Sequence, residues 1–129
     1  MKNNLILEKS YCFSLRIIKL YKYLREQKEY ALALQLLRCG TSIGANTEEA
    51  VGASSKKDFK SKFDIAYREA RETKYWLRLL KDSDILESNL ANSFITDCEE
   101  LLRIIGAIQK TFKQRNFKTL SSAPIIRNS

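Results

Sequence analysis

The chain has no histidine, and it is poor in proline, glycine and cysteine, with 1 Pro, 4 Gly and 3 Cys in 129 residues. Without histidine, His-based catalytic triads are excluded, and the commonest general base and metal ligand are missing. The Glu-x-x-His pairs that hold two metal ions in some helical bundles are therefore missing as well. We expect no enzyme activity, no cofactor and no metal site.

The same scarcities limit the fold class and the compartment. A sandwich or barrel of short strands needs many turn residues, so few Gly and Pro favour a few long helices. The cysteines, Cys12, Cys39 and Cys98, are far apart and form no Cys-x-x-Cys pair, which is typical of reduced thiols in the cytoplasm. No apolar run reaches the ~18 residues of a membrane span, and the first residues do not resemble a signal peptide. We expect a cytoplasmic protein with no membrane contact.

The net charge is +8, from 23 Lys and Arg against 15 Asp and Glu. A positive field favours polyanions such as nucleic acid. The excess is uneven, because the stretch 110–129 has five basic residues and no acidic one, which leaves +3 for the rest of the chain. Much of the basicity therefore belongs to a tail.

Apolar residues recur at helical spacing in four segments, which predicts helices at about 5–27, 30–51, 56–81 and 87–113. Ser55 is the expected N-cap of the third helix, and the sequence 82–84 is expected to end it. The connections are short, so neighbouring helices should be antiparallel. We predict an all-α fold, an antiparallel up-down four-helix bundle, in one domain at residues 1–115. A flexible basic tail is expected at 116–129.

The third helix has two lines of residues at steps of four and three. The first is the expected core seam: Phe59, Phe63, Ala66, Ala70, Thr73, Leu77 and Leu80. The second line consists of Ile65, Glu69, Glu72, Trp76 and Leu79. A monomeric bundle needs one apolar stripe per helix, so Ile65, Trp76 and Leu79 predict a homo-oligomer interface. The alternative is a wide core face with Trp76 at its edge.

The opposite flank of the third helix is basic. This basic stripe consists of Lys60, Tyr67, Arg71, Lys74, Arg78 and Lys81. It predicts a track for nucleic-acid phosphates in which Tyr67 stacks on a base. The alternative is an ordinary solvated face, with Tyr67 lying along the boundary of the core.

Three polar residues run along one edge of the second helix: Arg38, Ser42 and Glu49. Asn46 lies beside them on the line of Leu36 and Ile43, so we expect it to point toward the core. Arg38 and Glu49 are separated by about 16 Å along a helix axis, so each needs a partner elsewhere. Glu72 of the third helix is the candidate partner of Arg38. We expect these five residues to form a structural polar network that fixes helix register. A catalytic or ligand role is the alternative, because buried carboxylates are also where pKa values shift.

Gly40 and Gly44 are four residues apart in the second helix. Each costs about 1 kcal/mol relative to alanine in a helix, so a packing reason is expected. We predict a close crossing with another helix at this point, because the setting lacks the strand and the lysine of a phosphate-binding loop.

The stretch 37–50 resembles the second helix of a bacterial family known as four-helix-bundle or 23S rRNA intervening-sequence proteins. The family pattern there is R-x-x-x-S-I-x-x-N-I-A-E-G, and the matching residues are Arg38, Ser42, Ile43, Asn46 and Glu49. Thr47, Glu48 and Ala50 depart from its Ile, Ala and Gly. Glu72 is similar to a glutamate of the family's third helix. The resemblance covers about residues 5–113.

The resemblance implies a small bacterial four-helix bundle that assembles into a ring-like homopentamer. The chain is also similar to the accessory protein of diversity-generating retroelements, a basic pentamer that works with a reverse transcriptase and nucleic acid. The resemblance carries no catalytic residues to this chain.

The positive net charge, the apolar and basic stripes of the third helix and the family resemblance together predict a non-enzymatic oligomeric scaffold. We expect it to bind RNA or other nucleic acid through its basic surface stripes. The alternative is a protein-interaction scaffold with no role in nucleic-acid binding, in which the positive charge is incidental.

Overall fold

The computed structural model describes residues 2–122, with side-chain surroundings for 5–115. Over residues 2–122 the chain forms four helices and no strand: α1 Lys2–Glu26, α2 Tyr30–Val51, α3 Lys56–Asp82 and α4 Ser88–Ser122. The predicted all-α fold is confirmed. α4 continues to Ser122, beyond the predicted end near Lys113, and residues 123–129 of the predicted tail lie outside the described residues.

Local hydrogen bonds define where α3 and α4 begin. Ser55 accepts a hydrogen bond from the backbone N–H of Asp58 at 3.0 Å, so it caps α3 as the sequence predicts. At the start of α4, the Glu87 carboxylate accepts the backbone N–H groups of Asn89 and Leu90, at 2.8 and 3.2 Å. Both caps satisfy N–H groups that have no partner within the helix.

Two non-glycine residues in the left-handed region form the tight turns. Lys28 has a φ of 65° between α1 and α2, and Asp84 has a φ of 61° between α3 and α4. After each, the next backbone N–H returns to the last turn of the helix, from Glu29 to Leu24 and from Ile85 to Leu80. These short reversals make the neighbouring helices antiparallel.

The core lies between all four helices. It contains apolar residues at helical spacing, with Ile6, Phe13, Ile17, Leu20 and Leu24 from α1 and Leu36 and Ile43 from α2, and with Phe63, Leu77 and Leu80 from α3 and Phe94, Leu101 and Ile105 from α4. The chain thus forms a four-helix bundle. In its described part, no buried side-chain nitrogen or oxygen lacks a hydrogen-bond partner.

α1 and α2 approach closely at the two glycines of α2. A Cβ added to Gly40 would lie 2.9 Å from two side-chain carbons of Ile17, and one added to Gly44 would lie 3.3 Å from the backbone oxygen of Ser10. Next to them, the hydroxyls of Ser10 and Thr47 are 3.1 Å apart and buried. The close crossing predicted from the glycine spacing is confirmed.

α1 and α4 have the least extensive contact among the neighbouring helix pairs. Two ion pairs bridge this seam, Lys9–Glu100 at 3.2 Å and Arg16–Asp97 at 2.6 Å. The Arg16 guanidinium also lies 4.0 Å from the centre of the Phe94 ring. Charged groups therefore contribute to the closure of the bundle at this edge. Within residues 2–122, no helix combines the length and apolar character that a membrane crossing requires.

Candidate nucleic-acid interface

The six residues of the basic stripe lie on α3, on its flank toward α4, but they are not equivalent. Lys60 Nζ is 2.6 Å from Asp64 Oδ2, and Lys74 Nζ is 3.0 Å from Glu99 Oε2. Arg71, Arg78 and Lys81 make no ion pair with any described residue. Lys60 and Lys74 are therefore partly neutralised, whereas the other three basic residues of the stripe are free to pair with an anionic ligand.

Tyr67 is half-buried and packs against the core. Its Cε1 would lie 3.6 Å from a Cβ on Gly106, so the ring follows the backbone of α4. This position favours the alternative in which Tyr67 lies along the core boundary. Little of its ring is free to stack on a base.

Tyr75 is the exposed aromatic of this surface, with 52% of its area accessible. It follows Arg71 by four residues and precedes Arg78 by three, so the three side chains share one helix face. Its ring meets Trp76 edge to face at 5.5 Å between centroids. Sequence reasoning missed Tyr75, although its helical spacing from the two arginines was the signal that could have identified it.

α4 extends the basic surface. Gln109 Nε2 donates to Asp64 Oδ1 at 2.8 Å and so fixes α4 beside α3. Arg103 and Lys110 are exposed on α4 at helical spacing from Gly106, which lies against Tyr67 of α3. Neither makes an ion pair within the described part of the chain. We call Arg71, Arg78, Lys81, Arg103 and Lys110 the basic face.

Two acidic groups beside the basic face, Asp64 and Glu99, have cationic partners. Burial raises the pKa of Asp64, but hydrogen bonds from Lys60 and Gln109 outweigh that effect and hold the pKa below its usual value. The Glu99 carboxylate forms an ion pair with Lys74. The basic face therefore presents a positive surface to an anion.

The polar residues of α2 form local pairs and not one network. Arg38 Nη2 donates to Gln35 Oε1 at 2.8 Å, whereas Glu72 Oε2 accepts the indole N–H of Trp76 at 3.1 Å. The predicted Arg38–Glu72 pair is wrong, because each group has a nearer partner on its own helix. Asn46 Nδ2 donates to the backbone oxygen and the hydroxyl of Ser42, at 2.9 and 3.0 Å.

Glu49 joins α2 to α3. Its Oε1 lies 2.9 Å from Lys62 Nζ, and hydrogen bonding to Glu49 raises the lysine pKa. Farther along the same groove, burial raises the pKa of Cys39 to about 11, and the nearby carboxylates of Glu72 and Glu69 add to the rise. On its α3 side, the groove between α2 and α3 thus carries the carboxylates of Glu69 and Glu72, beside the Glu49–Lys62 ion pair.

The residues predicted as an oligomer interface lie at this groove. Ile65 is half-buried, Leu79 is 39% exposed, and Trp76 is partly buried against the core. Trp76 thus occupies the core edge that the alternative interpretation describes. No described group of three or more carboxylate or thiol residues could hold a metal ion.

Comparisons with known proteins identify relatives of the chain. Residues 2–107 match the family model described as 23S rRNA-intervening sequence protein. Among solved structures, the chain is similar to the crystal structure of a protein with unknown function from the S23 ribosomal protein family of Bacteroides thetaiotaomicron. The identity is 44% over 85% of this chain and 99% of that chain, with a TM-score of 0.83. No significant match is found among curated proteins.

Proposed function

The chain belongs to the 23S rRNA-intervening sequence protein family, and we propose that it is a self-associating, non-catalytic protein that binds RNA through the phosphate backbone. The observation that carries this proposal is the basic face, whose five cations extend over two helices without an acidic partner in the described part of the chain. Lysine and arginine side chains without an acidic partner can bind phosphates and release the counterions of a nucleic-acid strand.

RNA with unpaired bases is the form that this surface fits best. Tyr75 is exposed between Arg71 and Arg78, so a base that leaves its stack can contact the ring while its phosphates contact the arginines. A duplex keeps its bases inside the helix and gains only the phosphate contacts. We therefore propose a preference for single-stranded over duplex RNA.

The experiment is a titration of fluorescently labelled single-stranded RNA at several salt concentrations. We expect the logarithm of the binding constant to fall linearly with the logarithm of salt concentration, by about 0.7 for each phosphate contact. Binding that is absent at low salt, or that does not change with salt, contradicts the proposal. A Lys19→Gln variant on α1 is the control, because it removes an exposed positive charge outside the basic face.

The second candidate is a protein-interaction scaffold with no role in nucleic-acid binding. The observation in its favour is the exposed apolar surface of α1, where Tyr11 is 62% and Leu15 47% accessible. Capture of partners from cell extract, with and without nuclease, separates the two candidates. A partner that survives nuclease treatment, combined with no RNA binding by the purified protein, supports the scaffold.

Three further expectations belong to the proposal. The resemblance implies a ring-like homopentamer and a likeness to the accessory protein of diversity-generating retroelements. The dispersed cysteines predict a cytoplasmic location, and all three stay predictions. The mass of the purified protein by light scattering tests the first. The same RNA sample, analysed on a gel after incubation, tests whether the chain cleaves its ligand.

A further inference from the structure

α1 carries an unpartnered line of side chains on its outer surface. We call Tyr11, Leu15, Ile18, Lys22 and Arg25 the α1 line. The first three are large apolar side chains, exposed by 62%, 47% and 37%. Exposed apolar residues that lie together on one face mark a surface that another molecule covers. Lys22 and Arg25 make no ion pair with the described residues, so the line ends in two available positive charges.

The groove between α2 and α3 has the opposite character. Its α3 side consists of Ile65, Glu69, Glu72, Trp76 and Leu79, and we call it the α3 line. Glu69 and Glu72 make no ion pair with a described residue. Between them and around them lie the partly accessible apolar side chains of Ile65, Trp76 and Leu79. The α3 line therefore combines apolar surface with two carboxylates that form no ion pair with a described residue.

The two lines match in length, spacing and charge. Both place five residues at successive steps of four, three, four and three, so both are ridges about four helix turns long. Apolar groups make up three positions of each line. The remaining two are cationic in α1 and anionic in α3. In an antiparallel contact offset by one position, Lys22 faces Glu72 and Arg25 faces Glu69. Leu15 and Ile18 then face Leu79 and Trp76, so this register brings opposite charges together and buries apolar surface.

We propose that the α1 line of one copy docks into the α2–α3 groove of a second copy of this chain. The inference rests on the proposed self-association and names the surfaces that make it. Within one bundle, α1 and α3 are separated by α2, so the two lines cannot cover each other in the same molecule. Docking joins two different surfaces, so the contact is head-to-tail. An open chain of copies then has a free α1 line at one end and a free α3 line at the other, until a ring closes.

The test uses two exposed leucines, one in each line. Leu15→Glu damages the α1 line, and Leu79→Glu damages the α3 line. Both positions are accessible, at 47% and 39%, so the charge can be solvated and the fold retained, which circular dichroism checks. Leu90→Glu on α4 is the matched control, because Leu90 is 41% exposed and lies in neither line.

Light scattering then measures the mass of each variant and of a mixture. We expect an oligomer for the wild type and for Leu90→Glu, and a monomer for each of the other two variants alone. A mixture of Leu15→Glu and Leu79→Glu should give a dimer, because one intact α1 line and one intact α3 line remain to form a single contact.

Three results overturn the inference, and they separate it from the proposed function. An oligomer that persists in either single variant shows that its interface lies elsewhere, while self-association stands. Monomeric single variants that stay monomeric when mixed show that the two lines do not meet each other. A monomeric wild type removes both the inference and the proposed self-association, whereas the RNA titration still tests the basic face independently.

Discussion

Ile17 occupies the space beside Gly40 so completely that a Cβ on Gly40 would lie 2.9 Å from both Ile17 Cγ1 and Ile17 Cγ2. These carbons are attached to the branched Cβ of isoleucine, which has little freedom to rotate in a helix. The contact therefore sets the distance between α1 and α2.

Gly40→Ala should destabilise the protein by up to about 2 kcal/mol, because an overpacking cost of roughly 1–3 kcal/mol opposes the helix-propensity gain of about 1 kcal/mol. Gly106→Ala is the control, since its Cβ would meet Tyr67 at an ordinary 3.6 Å. That variant should be stabilised by up to about 1 kcal/mol. Urea unfolding measures both, and equal effects in the two variants would contradict the role given to Ile17.

Thr47→Val should cost about 1 kcal/mol of unfolding free energy, since it removes one partner of the buried Ser10–Thr47 hydroxyl pair at 3.1 Å. Ser10 then keeps only the backbone oxygen of Leu7, at 3.3 Å. The double variant Ser10→Ala with Thr47→Val should cost less than the two single changes added together. Strict additivity in a double-mutant cycle would show that the two hydroxyls do not stabilise each other.

Arg71→Gln should reduce the salt dependence of RNA binding, lowering the slope by about 0.7 if one phosphate contact is lost. Lys74→Gln should change the slope less, because Lys74 is already paired with Glu99 at 3.0 Å. The comparison uses two neighbouring cations of one stripe that differ in pairing. Equal slopes for the two variants would argue against the distinction between free and paired cations.

Tyr75→Ala should weaken binding of single-stranded RNA by about 1–3 kcal/mol, the range measured for loss of one stacked base. The affinity for duplex RNA should fall much less. Tyr75→Phe should keep the wild-type affinity for single-stranded RNA, because the aromatic ring makes the stacking contact. Anisotropy titrations of both RNA forms at one salt concentration give the answer. A similar loss for both forms would assign Tyr75 to the fold and not to base contact.

Cys12 should be the one cysteine that reacts quickly with a thiol reagent near neutral pH. It is exposed, whereas Cys39 and Cys98 are buried. Burial raises the pKa of Cys39 to about 11 and that of Cys98 to about 12. Labelling followed by mass spectrometry should find one rapidly modified cysteine in the native protein and three in denaturant. Rapid labelling of Cys98 in the native protein would be inconsistent with this packing.

The same pKa values predict a loss of stability in alkali. An unfolded thiol ionises near pH 9.0, while the folded ones keep their protons to higher pH. Their contribution to stability is therefore complete below that pH and declines as the pH rises above it. Cys98→Ala should lose less unfolding free energy between neutral and alkaline pH than the wild type does.

Periodicity was enough to predict the helices, because apolar spacing and the Ser55 cap are local signals. The end of α4 was predicted too early. The segment after Lys113 is polar, but polarity alone does not stop a helix, and the sequence has no proline before Pro124. The helix is described as far as Ser122.

The candidate site was predicted only in part, because side-chain partners depend on contacts that spacing does not reveal. The sequence indicated a basic stripe on α3, but it could not show that Lys60 and Lys74 are paired while Arg71 is not. Arg38 was assigned a distant partner, although Gln35 one turn away satisfies it at 2.8 Å. The contribution of α4 to the basic face required the register of the two helices.

The ion-paired seam between α1 and α4 has a consequence for how the chain is made. Asp97 follows Arg16 by 81 positions. During synthesis, the flank of α1 that contains Arg16 therefore leaves the ribosome long before its partner on α4. Apolar pairing of α1 with α2 is available much earlier. The edge that stays open longest on the nascent chain thus places Lys9 and Arg16 beside the apolar Phe13, which also waits for its α4 partner, Phe94. Charges next to an exposed apolar residue oppose aggregation during synthesis.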